Sequence, residues 1–598
     1  MSKIAILNAG GQYCHLIAIR IRELGVYSEI YKFDTDPYDL KYTDGIILSG
    51  GPDSVYMPNS PKVSSGLFDI GIPMLGICYG FQLMVQMQGG LVSPGKIKEF
   101  GIANIKINKK DYIFDGLNKN QTVWMSHGDT VEKLPEDFEL LSLSDNNVIA
   151  AAGDLKKNIY GFQFHPEVSH TVYGKDILSN FVFKVCKIKQ KDWNPKNRIK
   201  PIIETIKDKA QGKKVFFFIS GGIDSTVAFT LCVKALGKEN VKGIYVDTGL
   251  MRKNETESLM DDFNQLELDN IEIVEARDKF LSALKYKHDP EEKREIIGKL
   301  FIEIQEDEFM KFDLGKGNWL LGQGTIYPDT IESGCADKNV SKIKTHHNRV
   351  NEILKLINEN RVIEPLTDFY KDGVRELARS LNLPDHIVMR EPFPGPGLAI
   401  RCICSDQEKY IIKDDRLKLF LSNFNLNGFS VPVKTVGVQG DFRSYKNIAV
   451  IYGNAPFFKL KEISTKIVNS FDEINRVAYI VKTESPVDKM RIYKSYISTD
   501  RLKKLKEADY IVREFIDKHK ERLPEIWQFP IIIFPLGYNN DETIVLRPIL
   551  SSDGMTAKVA EIDNKLLNRL VENIISIKGV STVLYDLTNK PPGTIEWE

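Results

Sequence analysis

The chain has 598 residues, enough for three or four domains of ~100–200 residues each, and its 42% hydrophobic and 27% charged content suits several globular cores. Lys plus Arg and Asp plus Glu each number 81, so no net charge draws the chain to nucleic acid or to an anionic membrane. No apolar run reaches the ~18 residues of a membrane span. The seven cysteines (Cys14, Cys78, Cys186, Cys232, Cys335, Cys402, Cys404) are scattered and include no CxxC pair, which argues against a disulfide framework or zinc site and for a reducing compartment. The opening MSKIAILNAGG starts directly as a strand with no signal-peptide pattern, and a cytoplasmic location is expected.

Residues 3–8 (KIAILN) are a short apolar run before a Gly-Gly turn, and an amphipathic stretch follows from His15 to Leu24. The segments 45–48 (GIIL), 73–77 (PMLGI) and 81–88 (FQLMVQMQ) continue an alternation of strand and helix that predicts a parallel α/β sheet, completed by short β runs such as 159–164 near Cys186. Residues 187–200 are polar and basic, with Pro195, and read as a linker. A second α/β alternation takes in 214–219 (KVFFFI), 241–247, 271–274 and 319–322, and ends at the Pro/Gly-rich stretch 390–401 (REPFPGPGLAIR). The remainder reads as two similar β-β-α-β modules, with helices near 459–471 and 563–577, each closing on a strand near a tyrosine (Tyr479, Tyr585). The expected fold is two parallel-sheet α/β domains (1–190 and 198–401) plus a C-terminal α+β region of two modules (402–490 and 491–598).

Three elements in the first domain carry chemistry together. GICYGFQ (76–82) puts Cys78 at a strand-to-helix turn, where a helix N-terminus favours the thiolate and glycines at 76 and 80 permit a sharp bend. GFQFHPEV (161–168) places His165 and Glu167 two apart in an extended segment, so both side chains share one face, and a carboxylate beside an imidazole fixes its tautomer and raises its basicity. SGGPD (49–53) offers free N–H groups suited to an oxyanion. Each alone has an ordinary structural reading: a buried thiol, a satisfied core histidine, a loop.

The order SGGP, GICYG, FHPEV resembles class I glutamine amidotransferases over about residues 1–186. The resemblance makes Cys78 the nucleophile, His165 the general base and acid, and Glu167 the orienting carboxylate, with Gly51 and the backbone of Tyr79 as the oxyanion hole. Asn8 and Gly11 depart from the usual aspartate and serine of such proteins, a difference read as lying outside the chemistry.

In the second domain an apolar strand runs into Ser220-Gly221-Gly222-Ile223-Asp224-Ser225-Thr226 and then a helix. Glycine N–H groups and the helix N-terminus suit phosphate oxygens. The loop is not a Walker A sequence but has the SGGxDS form of the PP-loop, whose enzymes cut ATP between the α and β phosphates. Mg²⁺ is expected with the pyrophosphate, and no tightly bound organic cofactor.

YVDTGLMRKNE (245–255), GQGTIYPDTIESG (322–334), IKTHHN (343–348), REPFPGPGLAIR (390–401), VGVQGDFRSY (436–445) and KPPGTIEWE (590–598) resemble the GMP synthetase family across essentially the whole chain. That resemblance implies substrates glutamine, ATP and xanthosine monophosphate (XMP). It places Arg294, Asp441, Gln528, Lys590, Ile595 and Glu596 at the XMP site and Asp329, Lys344, His346 and His347 on a lid over the nucleotide. No residue is assigned to metal by itself. The extra C-terminal module implies a monomer in which the two modules pack as an internal pseudo-dimer, with a homodimer as the other possibility. A non-catalytic binding or scaffold protein built on such an enzyme is the rival reading.

Overall fold

The structure is a computed structural model that describes residues 2–312, 318–334, 356, 359, 361–391, 393–439, 442–551 and 557–598. The chain forms two compact units. The first holds Met1–Ile199 together with Asp368–Gly373 and a short segment opening at Ile326. The second takes in Lys200–Thr325 and Val374–Glu598.

The sheet of the first unit has nine strands: β1 (Lys3–Asn8), β2 (Tyr27–Lys32), β3 (Gly45–Leu48), β4 (Met74–Ile77), β5 (Leu91–Ile107), β6 (Asn120–Lys133), β7 (Glu139–Ser144), β8 (Ile149–Asp154) and β9 (Ile159–Phe162). Their order is β2-β1-β3-β4-β9-β8-β7-β5-β6. The first five are parallel and the last four join antiparallel, so the sheet is mixed where the sequence pattern predicts a parallel one. Alternate residues of the parallel strands fill two separate cores. Ile4, Ile6, Ile47, Leu75 and Ile77 pack on one face, and Ala5, Leu7, Ile46, Leu48 and Met74 on the other. Burial on both faces is why these strands read as unbroken apolar runs. The antiparallel edge is different: β5 carries Pro94, Gly95 and several charges, and its long pairing with β6 leaves no clean alternation in the sequence.

The second unit holds a five-stranded parallel sheet of β10 (Lys214–Ile219), β11 (Val241–Asp247), β12 (Ile271–Glu275), β13 (Trp319–Gly322) and β14 (Val362–Ile363), ordered β12-β11-β10-β13-β14. It also holds a six-stranded sheet of β15 (Leu426–Gln439), β16 (Phe442–Gly453), β17 (Ile474–Thr483), β18 (Ile531–Phe534), β19 (Glu542–Leu546) and β20 (Val580–Asp586). That sheet runs β15-β16-β17-β20-β19-β18 and reads the same from either edge: antiparallel, parallel, then an antiparallel pair at the centre. Helices Phe457–Ser470 and Asn564–Ile575 link the second and third strands of each half, and Tyr479 faces Tyr585 across the central pair. One apolar core runs from Phe216 and Ile244 through Ile463 and Leu570 to Tyr585, so Lys200–Thr325 and Val374–Glu598 share a single unit.

The C-terminal sheet closes around one carboxylate. Asp586 is fully buried; its Oδ2 accepts from Arg476 (2.8 Å) and the Trp597 indole (2.8 Å) and forms an ion pair with Arg547 (2.7 Å). Burial opposes the charge, yet the two guanidiniums hold the carboxyl below its usual range. The stabilisation is therefore present above the ordinary aspartate range and is lost as pH falls through the depressed value. Asp586→Asn leaves two buried arginines short of their counter-ion and should destabilise this unit by about 3–5 kcal/mol, read from denaturant unfolding at neutral pH.

Candidate active site

Cys78 follows β4 and caps the helix Tyr79–Met87 with φ 51° and ψ −106°, a left-handed backbone for a residue that carries a side chain. Two glycines make this bend possible by close approach. A Cβ on Gly76 would lie 2.7 Å from Gly80 C, and one on Gly80 would lie 2.4 Å from Leu48 O. The result is a sulfur raised above the carboxyl end of the sheet at the open end of a helix.

His165 lies beyond β9, and its Nδ1 meets Glu167 Oε1 at 2.7 Å with both side chains buried. The backbone of His165 is fixed on both sides and its ring on one. His165 N donates to Trp124 O (3.0 Å), Thr171 Oγ1 donates to His165 O (2.6 Å), and the Tyr13 ring meets it edge-on at 5.1 Å. Arg20 Nε donates to Glu167 O at 3.1 Å. Burial opposes a charge on His165, but the Glu167 carboxylate and the Cys78 sulfur outweigh it and hold the imidazole up to about 10. A Cβ on Gly50 would sit 3.2 Å from His165 Cε1 and 3.7 Å from Cys78 Cβ, so this turn touches both reactive side chains. The structure thus brings Cys78, His165 and Glu167 together, with Tyr79 adjoining Cys78 and Gly51 next to Gly50. Gly11 bears on this turn as well: a Cβ there would lie 2.3 Å from Gly50 O, so the residue that departs from the usual serine packs directly on the backbone beside the sulfur.

In the second unit β10 ends at Ser220, and helix Ile223–Leu236 begins from Gly222. Gly221 has φ +74°. The loop is tied to itself: Ser220 Oγ lies 3.1 Å from Ser225 Oγ, Gly222 N donates to Ser220 Oγ (3.3 Å), and Thr226 Oγ1 donates to Gly222 O (3.0 Å). Asp224 lies in the first helical turn. Two residues outside the loop brace it. Arg390 Nη1 donates to Gly221 O at 2.9 Å while its other nitrogen pairs with Glu255, and a Cβ on Gly324 would meet Ser225 N at 2.8 Å. Arg390 and Glu255 lie inside segments singled out from the sequence, yet neither was assigned a role there. Their signal was a charge embedded in a Pro/Gly-rich or apolar run.

The segment 590–598 is pinned rather than frayed. Arg547 Nε donates to Ile595 O (2.9 Å), Glu596 takes a two-pronged pair from Arg401 (2.7 and 3.0 Å), and Arg294 Nη2 donates to Glu598 O (2.6 Å). Arg294, Ile595 and Glu596 thus share one neighbourhood. Gln528 pairs with Ile549 and Lys590 with Ala557, at the two strands of a small ribbon (Ile549–Leu550 and Lys558–Val559). Asp329 Oδ2 accepts from Ile326 N (3.1 Å) in the first unit. Asp441, Lys344, His346 and His347 lie outside the described residues.

Three family models match the chain: class I glutamine amidotransferase over residues 5–185, NAD synthase over 196–296, and the GMP synthase C-terminal domain over 536–597. A probable glutamine-hydrolysing GMP synthase of Leptospira interrogans is 43% identical over 612 aligned residues, covering 100% of this chain and 99% of its own length. That of Caldicellulosiruptor saccharolyticus is 38% identical, at 100% and 99% coverage. That of Aquifex aeolicus is 41% identical over 508 residues, spanning 81% of this chain and 98% of its own.

With His165 held above the ordinary histidine value of ~6.5, its charged pair stabilises the fold fully below that value and the contribution is lost as pH rises through about 10. Glu167→Gln removes the main support for the charge. The alkaline limb of kcat/KM for glutamine hydrolysis should then fall by about one pH unit or more, measured as glutamate release across pH 6 to 10.5.

Proposed function

The chain belongs to the glutamine-hydrolysing GMP synthases, and on that footing we propose how its residues divide the reaction. The enzyme converts ATP, XMP, glutamine and water to AMP, pyrophosphate, GMP and glutamate. The observation that carries the assignment is the pairing, in one chain, of a cysteine on a strained strand-to-helix turn beside a His–Glu pair with a PP-loop at the end of a parallel strand. A catalytically silent scaffold is not favoured, because both constellations are whole.

At the first centre Cys78 attacks the side-chain amide of glutamine. The thiol proton already rests on His165, which passes it to the leaving ammonia, and a water then frees glutamate from the thioester. Glu167 holds the ring with Nε2 toward the sulfur. Gly51 and Tyr79 N–H groups would face the developing oxyanion.

At the second centre the loop 220–226 cradles the β and γ phosphates, and the XMP C2 oxygen attacks the α phosphorus of ATP. Pyrophosphate leaves, ammonia adds to C2 of the adenylyl intermediate, and AMP departs. Arg294, Gln528, Lys590, Ile595 and Glu596 would receive XMP, with Asp441, and Asp329, Lys344, His346 and His347 would cover the nucleotide. Among the described residues no cluster of three His, Cys, Asp or Glu could hold a metal. Asp224 is the carboxylate the loop would offer to a Mg²⁺, whose chemistry would be to offset charge on the leaving pyrophosphate. Ammonia is mostly ammonium near neutral pH, so a protected transfer between the centres belongs to this reading. We place the enzyme in the cytoplasm. No helix among the described residues is long and apolar enough to cross a membrane.

Cys78→Ala should lose glutamine-driven GMP formation by about 10³-fold or more while ammonium-driven formation stays within about twofold. Equal loss of both would refute the division of labour. The self-mirrored C-terminal sheet supports a monomer through an internal pseudo-dimer. Sedimentation at low micromolar concentration should give a single-chain mass, and a stable dimer there would contradict it.

A further inference from the structure

A second histidine–carboxylate pair is buried in the first unit, and the chemistry above does not use it. His127 on β6 and Glu99 on β5 face each other in register, and their side chains are 1% and 4% exposed. Next to them the ladder breaks. Pro94 pairs with Asp129 and Glu99 with His127, so β5 advances five residues while β6 advances two. Such a bulge leaves backbone groups without ladder partners. Asp129 O is held by side chains instead, with His127 Nδ1 at 2.9 Å and Gln82 Nε2 at 3.0 Å.

From that carbonyl an unbroken chain of contacts runs to the nucleophile. Gln82 Nε2 also donates to Gln163 Oε1 (3.0 Å), and Gln163 Nε2 points at Cys78 Sγ (3.7 Å). Cys78 Sγ itself lies 3.6 Å from Ser126 O, on the same stretch of β6. At the far end Glu99 Oε2 meets His127 Nε2 (3.2 Å), and Glu99 Oε1 accepts from Asn146 Nδ2 (2.9 Å). A backbone carbonyl only accepts, so the His127 Nδ1 that faces Asp129 O is the donor of that bond. Burial works against the Glu99 charge, but hydrogen bonds from His127, Asn146 and Ser144 outweigh it and keep the carboxyl below its usual range.

We propose that Glu99, acting through His127, is a positioning residue for the glutaminase. The pair replaces the ladder bonds lost at the bulge and so fixes the Ser126–Asp129 backbone that walls the nucleophile. The inference rests on the assignment of Cys78 as that nucleophile. Glu99 does not touch the reacting atoms. A wall that contacts ground state and transition state alike affects KM and leaves kcat, and the synthetase chemistry of the other unit is untouched.

Glu99→Gln keeps the shape but gives the site an amide with only one accepting end. It also lacks the negative charge that strengthens the bonds from His127 and Asn146. The expected result is a glutamine KM raised about tenfold or more, kcat changed by less than about threefold, and native ammonium-driven GMP formation in the same preparation. Adding Asn146→Asp supplies an acceptor for the new amide and should return KM to within about threefold of native. An unchanged KM in Glu99→Gln overturns the proposal. So does a parallel loss of ammonium-driven activity, which would make Glu99 a folding group, and so does failure of the double variant to recover. Cys78→Ala run alongside separates this from failure of the underlying reading. If that variant still hydrolyses glutamine, the nucleophile assignment is wrong. If it does not, an unchanged Glu99→Gln refutes the positioning role alone.

Discussion

Cys78 is held in a backbone conformation that a residue with a side chain disfavours, and the first unit is arranged to enforce it. A left-handed turn at such a position costs on the order of 1–3 kcal/mol. It persists because β4 and the helix Tyr79–Met87 are locked at both ends. Cys78 N donates to Phe162 O at 2.7 Å, and Gly76 and Gly80 let the helix settle against its own strand and against β3. With the turn set, the neighbouring turn at Gly50 and the histidine beyond β9 fall into place by adjacency of β3, β4 and β9 in the sheet.

Both centres use one structural economy. Each sits where a parallel strand ends and a helix begins, so the helix N-terminus faces the group that bears negative charge. In the first unit that group is a sulfur, which needs a single raised atom and a buried base beside it. In the second it is a run of phosphate oxygens, which needs several N–H groups and therefore a glycine loop. The different fastening follows. The cysteine is fixed by backbone crowding, whereas the phosphate loop is fixed by hydroxyl bonds within itself and by the Arg390–Glu255 brace from outside. The segment 590–598 obeys a third rule. It lacks long regular pairing of its own, so arginines 294, 401, 476 and 547 bind its carbonyls and carboxylates and draw it against the body of the unit.

The sequence was most readable where both faces of a strand are buried. The runs 3–8, 45–48, 214–219 and 241–247 match β1, β3, β10 and β11, because continuous apolar stretches bounded by glycine have few other uses. The mirrored C-terminal modules were also visible, through their repeated order and the two tyrosines. The long β5–β6 hairpin was not, since Pro94, Gly95 and its charges hide any period-2 pattern, and with it went the mixed character of the first sheet. Candidate site residues in compact local patterns, such as GICYG, HPE and SGGIDS, stand together in the fold as the sequence implies. Buried polar residues whose partners are distant in sequence were not legible. Glu99 and Gln163, or Arg476 and Asp586, look like ordinary polar positions until the fold pairs them. The importance of Gly11 was missed for the same reason, because its neighbour Gly50 lies 39 positions away.

We propose that the Cys78 sulfur, on its strained turn, takes the γ-glutamyl group of glutamine while the amide nitrogen leaves as ammonia. The most direct test is to treat the protein with a diazo-ketone analogue of glutamine and map the adduct by peptide mass spectrometry. The account predicts one adduct per chain, on Cys78, with glutamine-driven GMP formation lost in proportion and ammonium-driven formation retained. An adduct on another cysteine, or full glutamine hydrolysis by protein already labelled at Cys78, would contradict it.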